Sequence, residues 1–360
     1  MSASNGWKRL NPVLRIHDFF AAFISPSLSP ANLLLNSILV VSYYLAGRLS
    51  FELSRPDPSA IPVWLPAGIT LAAMLLRGVA VWPSIFLGAF LMNVSVGVQV
   101  TASLGIAIGS TLETLFAYYL VNIFAGGKTA FFHPRHCVRF LLLAGALATA
   151  LCALLGTWFV CNSGLVRWTE YWLVWRIWWL GDMLGVLLLT PFLVLLLGHK
   201  HHALSAREFV EIILLLSFIS VVCVLNFGPP IVPWMPRSGL HYLCLPCLIW
   251  ICFRFCPLEA SGALLLLGGF AMWGSFHGYG LFANAAGWPF LGAVYVAAVG
   301  ATTLGTAAAV VEMKQDLENA LRAYYMLQGK QKEVAEEGTI RDPLYPSSAS
   351  SALPPDCFPG

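Results

Sequence analysis

Charge is what this chain has least of. Only 10% of its 360 residues are Asp, Glu, Lys or Arg, and the balance is a formal +3. So little charge of either sign gives no basic footprint for nucleic acid, and none is expected as a partner. The sequence also lacks a P-loop, a Ser/His/Asp set and a His-rich catalytic motif, which counts against a membrane enzyme. Its apolar stretches lack the alternation of a β-barrel. No two histidines stand mid-membrane on helices as a buried haem would need, so no cofactor is expected. A secretory signal is absent as well: Lys8, Arg9 and Arg15 precede only a short apolar run at 19–24, then two Ser-Pro steps. The stretch 15–24 is instead expected to lie along the inner membrane face.

Cysteine is present, nine times, but not in a metal-binding arrangement. Cys244, Cys247, Cys252 and Cys256 share one apolar segment. A single helix projects its side chains outward, whereas metal ligands must converge, so these read as small hydrophobes and no metal site is expected. The segment around His199, His201 and His202 reads as a basic inner turn.

What the chain does have is apolar length. Hydrophobic residues make up 58% of it, and its mean hydropathy is +0.76. About 20 residues at ~1.5 Å rise cross ~30 Å of hydrocarbon, and only helices or closed barrels satisfy the backbone there. Candidate spans fall near 31–50, 61–77, 79–98, 102–124, 137–161, 172–197, 209–227, 238–256, 258–276 and 288–311. The expected fold is therefore an all-α polytopic transmembrane bundle of about 8–10 helices, the short pair 61–77 and 79–98 being a candidate re-entrant hairpin.

With a cytoplasmic N-terminus, inner segments hold Lys8, Arg9, Arg15, Arg77, Lys128, Arg135, Arg139, Lys200, Arg207 and Arg254. Outer loops or helix ends hold only Arg48, Arg55, Arg167, Arg176 and Arg237. This inner excess places both termini in the cytoplasm.

Against so apolar a background, Glu113 and Asp182 stand out. A carboxylate at bilayer depth costs several kcal/mol unless paired, protonated or facing water, so it marks a functional interior by default. Glu113 lies eleven residues from the outer end of its span and Asp182 ten, which puts both ~15 Å deep. At equal depth they can face one another and share a proton. The alternative is that each is a neutral acid bonded to Ser110, Thr111 or Thr114. Asp182 closes the run Trp175-Arg176-Ile177-Trp178-Trp179-Leu180-Gly181-Asp182. Arg176, four residues inside the outer helix end, can contact Trp172 and Trp179. Arg176, Arg48, His277 and Trp64 form a possible outward cup for an anionic or aromatic ligand, or else belong to an interfacial aromatic belt. The candidate polar site is thus Glu113, Asp182, Arg176, Trp178, Trp179, Trp64 and His277.

The apolar character stops at Val311. Beyond it a heptad continues, with Val310, Leu317, Tyr324 and Gln331 in one column and Met313, Ala320, Leu327 and Val334 in the other. Seven of these eight positions are apolar or aromatic, as in a parallel coiled coil running on from the last membrane helix, so a homodimer is expected. A solvated single helix is the alternative. The Ser/Pro-rich end, from 345, is expected to be disordered. The division is therefore 1–30 N-terminal segment, 31–311 membrane domain, 312–337 cytoplasmic helix and 338–360 tail.

Several landmarks recur in a fixed order: Trp64-Leu65-Pro66-Ala67-Gly68-Ile69, Trp82-Pro83-Ser84, Gly109-Ser110-Thr111-Leu112-Glu113, Val138-Arg139-Phe140-Leu141-Leu142, Trp178-Trp179-Leu180-Gly181-Asp182, Pro246-Cys247-Leu248-Ile249-Trp250 with Arg254-Phe255, and Trp273-Gly274 with Gly278-Tyr279-Gly280. Across about 33–313 they resemble the first class of the bacterial membrane-associated sensor domains, the MASE group. The resemblance implies a signal-input module of the kind joined to histidine kinases, diguanylate cyclases or phosphodiesterases. Arg341-Asp342-Pro343-Leu344 is similar to the opening of a diguanylate cyclase (GGDEF) domain, but Tyr345-Pro346-Ser347 then departs from that pattern. The reading is a sensory input module in lipid, of cyclic-di-GMP or two-component type, whose output domain is lost by truncation and which is itself no enzyme. The rival is a small transporter using Glu113 and Asp182 as a proton or cation relay.

Overall fold

The computed structural model describes residues 30–53, 63–199, 204–229, 240–279 and 290–337, and these are helical, without strands. In chain order the helices are α1 (Pro30–Leu53), α2 (Leu65–Arg77), α3 (Trp82–Ser95), α4 (Val100–Phe124) and α5 (Pro134–Asn162). They continue with α6 (Tyr171–Gly198), α7 (Ala206–Phe227), α8 (Cys244–Arg254), α9 (Pro257–Phe276) and α10 (Phe290–Glu337). Each expected span therefore has a helix. Among the described residues, six helices are long and apolar enough to cross a membrane: α1, α4, α5, α6, α7 and α10. At 13, 14 and 11 residues, α2, α3 and α8 reach only about 15–20 Å along their axes, short of the ~30 Å hydrocarbon core.

Local chemistry sets these boundaries. Proline stands in the first turn of α2, α3, α5 and α9, where its missing N–H costs nothing. Gly78, at φ +81°, stops α2 and turns the chain into α3, making the two a short helical hairpin. A capping box opens α7: Glu208 N–H donates to Ser205 Oγ at 3.3 Å, and Ser205 N–H donates to Glu208 Oε2 at 3.0 Å. A π-helical stretch, Leu141–Ala148, interrupts α5.

Helix α6 is the hub, packing on α2, α5, α9 and α10. Its closest partner is α2. A Cβ on Gly68 would lie 2.1 Å from the Gly185 carbonyl oxygen, and one on Gly185 would lie 2.0 Å from that of Trp64. Only glycine allows this backbone approach, the usual means of tight association where lipid supplies no hydrophobic drive. The contact is pinned by Trp64 N–H donating to Gly181 C=O at 2.9 Å and by Thr190 Oγ1 donating to Gly68 C=O at 3.0 Å. Outward, leucines such as Leu34, Leu45, Leu142 and Leu214 are 60–65% exposed. That surface suits lipid, not water.

The last helix does not end at the membrane boundary. Helix α10 runs for 48 residues without a break, and beyond Val311 it carries exposed Met313, Leu317, Tyr324 and Leu327. Where it leaves the bundle, Lys314 Nζ donates to the Phe253 carbonyl at 3.2 Å, and Glu312 lies 3.7 Å from His133. Arg254 beside it bridges Glu208 at 3.2 Å and Glu211 at 3.4 Å. The heptad positions Gln331 and Val334 fall where side chains are not described, and the segments 1–29 and 338–360, with His201 and His202, lie outside the described residues.

Candidate functional site

Between α3, α4, α5 and α6 lies a partly open cavity of about 260 Å³. Val98, Leu165 and Val166, from the connections α3–α4 and α5–α6, mark one end. Glu113 and Asp182 line it deeper in, 13 and 11 residues along their helices, about 20 Å and 16 Å from the helix starts. The structure thus brings the two acids together within hydrogen-bonding reach of each other. Glu113 is buried at 8% exposure, whereas Asp182 keeps more of its surface toward the cavity.

The surroundings bear on the alternative of two separately bonded acids. Thr111 Oγ1 donates to the Ala107 carbonyl at 2.7 Å and Thr114 Oγ1 to that of Ser110 at 3.0 Å. Both hydroxyl protons are committed to backbone, a common habit of threonine in membrane helices. Ser110, the third residue of that alternative, lines the cavity together with the two acids.

Aromatic rings form the walls. Trp64, at the unwound start of α2, meets Tyr43 edge-on at 6.4 Å and Phe51 at 6.0 Å. Trp178 reaches the cavity because Gly156 makes room: a Cβ there would sit 2.7 Å from the Trp178 ring. Trp179 points elsewhere. Its indole N–H donates to the Ala146 carbonyl of α5 at 2.9 Å, Trp175 does the same to Ala150 at 3.0 Å, and the Tyr171 hydroxyl to Leu154 at 2.8 Å. Steps of four along α6 meet steps of four back along α5, so these donors zip two antiparallel helices together. The π-stretch carries Ala146, the innermost acceptor.

Of the other candidates, Arg176 is exposed and does not line the cavity, nor does Arg48. His277, just past α9, bonds the Trp273 carbonyl at 2.9 Å and packs against the Trp273 and Tyr279 rings, away from the acids. The cup expected from Arg48, Arg176, His277 and Trp64 is not assembled, and only Trp64 contributes to this cavity. Sequence reasoning passed over Asn93, a buried lining residue whose amide donates to the Ala89 carbonyl at 2.8 Å. A polar amide inside an apolar run was its signal. Tyr43 gave none, yet its hydroxyl is buried beside Ser110 and Trp64 without a close hydrogen bond. Among the described residues no group of three or more Cys, His, Asp or Glu is placed to hold a metal ion.

Neither the curated proteins nor the solved structures contain a match to this sequence. The MASE1 family model does match, over residues 34–314, which takes in α2 to α9 whole, all but the first four residues of α1, and α10 as far as Lys314. Six membrane-length helices among the described residues and a match over most of the chain lead to one assignment: the chain belongs to the MASE1 family of membrane sensory input domains.

Proposed function

We propose that this chain is the sensory input module of a bacterial inner-membrane signalling protein and that the Glu113–Asp182 cavity is where its stimulus acts. The observation that carries the reading is the joining of two intramembrane carboxyl groups at the inner end of an aromatic-walled cavity. Two carboxyl groups brought together in low dielectric resist carrying two full charges, and the negative charge that remains on them attracts a cation. Among the described residues no Lys, Arg or His lines the cavity. Its chemistry suits a small organic cation, whose charge meets the acids and whose apolar body meets Trp64 and Trp178. The anionic ligand considered from the sequence has no cationic partner there.

The signal leaves through α10. That helix packs on α6, which carries Asp182, and continues unbroken past Val311. Its exposed apolar positions support a parallel dimeric stalk, the arrangement by which a membrane event reaches a cytoplasmic output. The likeness of 341–344 to the start of a diguanylate cyclase domain supports an output of cyclic-di-GMP type.

Phenethylamine and its uncharged isostere phenethyl alcohol test the site. Melting of the purified chain in detergent should rise with the amine and not with the alcohol, and the rise should vanish in Glu113→Gln and Asp182→Asn. Equal shifts from both compounds, unaltered in both variants, would remove the acids from any sensing role. Proton flux by the chain in liposomes, abolished by the same substitutions, would establish the transporter reading instead.

A further inference from the structure

A second cavity, larger than the first at about 570 Å³, lies between α1, α2 and α6. Leu35, Ile38, Leu39, Ile69, Leu193 and Leu197 give it apolar walls. Besides Ser42, midway along α1, its polar side chains are two cations at one end, where Arg77 closes α2 and Lys128 stands in the connection after α4. Both cations are exposed, and neither is ion-paired with a described residue. By the charge distribution this end faces the cytoplasm. An apolar trough that opens between lipid-facing helices and ends in two unpaired cations is complementary to one kind of molecule: an acyl chain with an anionic headgroup at the inner surface.

We propose that this groove is a specific site for an anionic phospholipid, with an acyl chain between α1 and the α2–α6 pair and the phosphate at Arg77 and Lys128. The place is consequential. Its walls belong to α2 and α6, the helices that also place Trp64 and Asp182, with Leu193 about three turns along α6 from Asp182. The connection bearing Lys128 also bears His133, 3.7 Å from Glu312 on α10. A lipid there braces the α2–α6 contact and neighbours the point where the output helix departs.

Native mass spectrometry of the full chain, extracted in detergent and mixed with phosphatidylglycerol or phosphatidylcholine, reads the site directly. The parent should retain phosphatidylglycerol over phosphatidylcholine. Each cation near the surface contributes about a fivefold preference, so Arg77→Gln with Lys128→Gln should cut it by roughly 25-fold. Arg135→Gln with Arg207→Gln removes the same charge from exposed positions outside the groove and should leave retention unchanged. Ala73→Phe, which fills the groove without touching charge, should displace the lipid while the cations remain. Equal retention of both lipids, equal losses in both double variants, or full competition by inorganic phosphate would each overturn the proposal. Retention that appears only once residues 1–29 are deleted would also overturn it for the intact chain, since the groove would then belong to the chain's own N-terminal segment.

Discussion

At the scale of the residue, this protein depends on a few side chains whose chemistry is rare in their surroundings, and on two that are absent. Glycine at 68 and 185 lets two helix backbones touch, with carbonyl oxygens 2.0–2.1 Å from where a Cβ would be. Backbone cannot yield as a side chain can. Gly185→Ala should therefore cost about 3 kcal/mol or more, seen as a sharp fall in melting temperature or loss of folded protein from the membrane. Gly109→Ala, where a Cβ meets nothing within 4 Å, should leave melting nearly unchanged. The acids belong to a different class. In a chain fused to a complete output domain, Glu113→Gln and Asp182→Asn should alter regulation of the output while leaving its fully activated rate intact. Unaltered regulation in both, with normal melting, would reduce the pair to a packing feature.

Among the elements, α5 and α6 are joined by hydrogen bonds as well as packing. Tyr171, Trp175 and Trp179 each donate to a carbonyl of α5. Hydrogen bonds between membrane helices average about 0.6 kcal/mol. Replacing all three by phenylalanine keeps most of the apolar bulk and should cost about 2 kcal/mol of stability, measured by thermal melting in detergent. A loss no larger than that from Trp172→Phe, on the exposed face, would show that the bonds do not hold the pair. Helix α10 makes its own test. Cysteine at 317 or 324 should cross-link to its symmetry mate if the stalk dimerises along the heptad. Cross-linking at 315 and 319 instead, with none at 317 or 324, would favour a solvated single helix. Where α10 leaves the bundle it is held by Lys314 on Phe253 and by Glu312 beside His133. Lys314→Met should loosen that hold and raise proteolytic cleavage of the helix beyond Val311.

For the whole molecule, orientation is the property on which the others rest. In the orientation proposed from the excess of Lys and Arg, the α3–α4 and α5–α6 connections, with the mouth of the acid cavity, lie on the outer side. An impermeant thiol reagent added to intact cells should label Gln99→Cys and Ser163→Cys but not Arg135→Cys. The reverse pattern would turn the bundle over, set the acid cavity toward the cytoplasm and place the lipid groove's cations outside. Helix α6 ties these features together. It contributes Asp182 and Trp178 to one cavity, Leu193 and Leu197 to the other, and packs on α10.

By itself the sequence determined the class of the molecule, the approximate limits of the described helices, and two acids that line one cavity. Each of these is a local or compositional property: apolar length against bilayer thickness, proline and glycine at turns, and a charge where charge is costly. The sequence could not separate Trp178 from Trp179, since adjacent residues on a helix project about 100° apart. Only the packing of α5 decided that one meets Gly156 at the cavity while the other binds a carbonyl in the π-stretch. Arg176, Arg48 and His277 were grouped with Trp64 in one cup because they share a level near the outer helix ends. Depth is one coordinate, however, and the angular placement of helices around α6 is what keeps them apart. The groove beneath Arg77 and Lys128 was invisible for the same reason, as its walls come from three helices whose proximity no local pattern encodes.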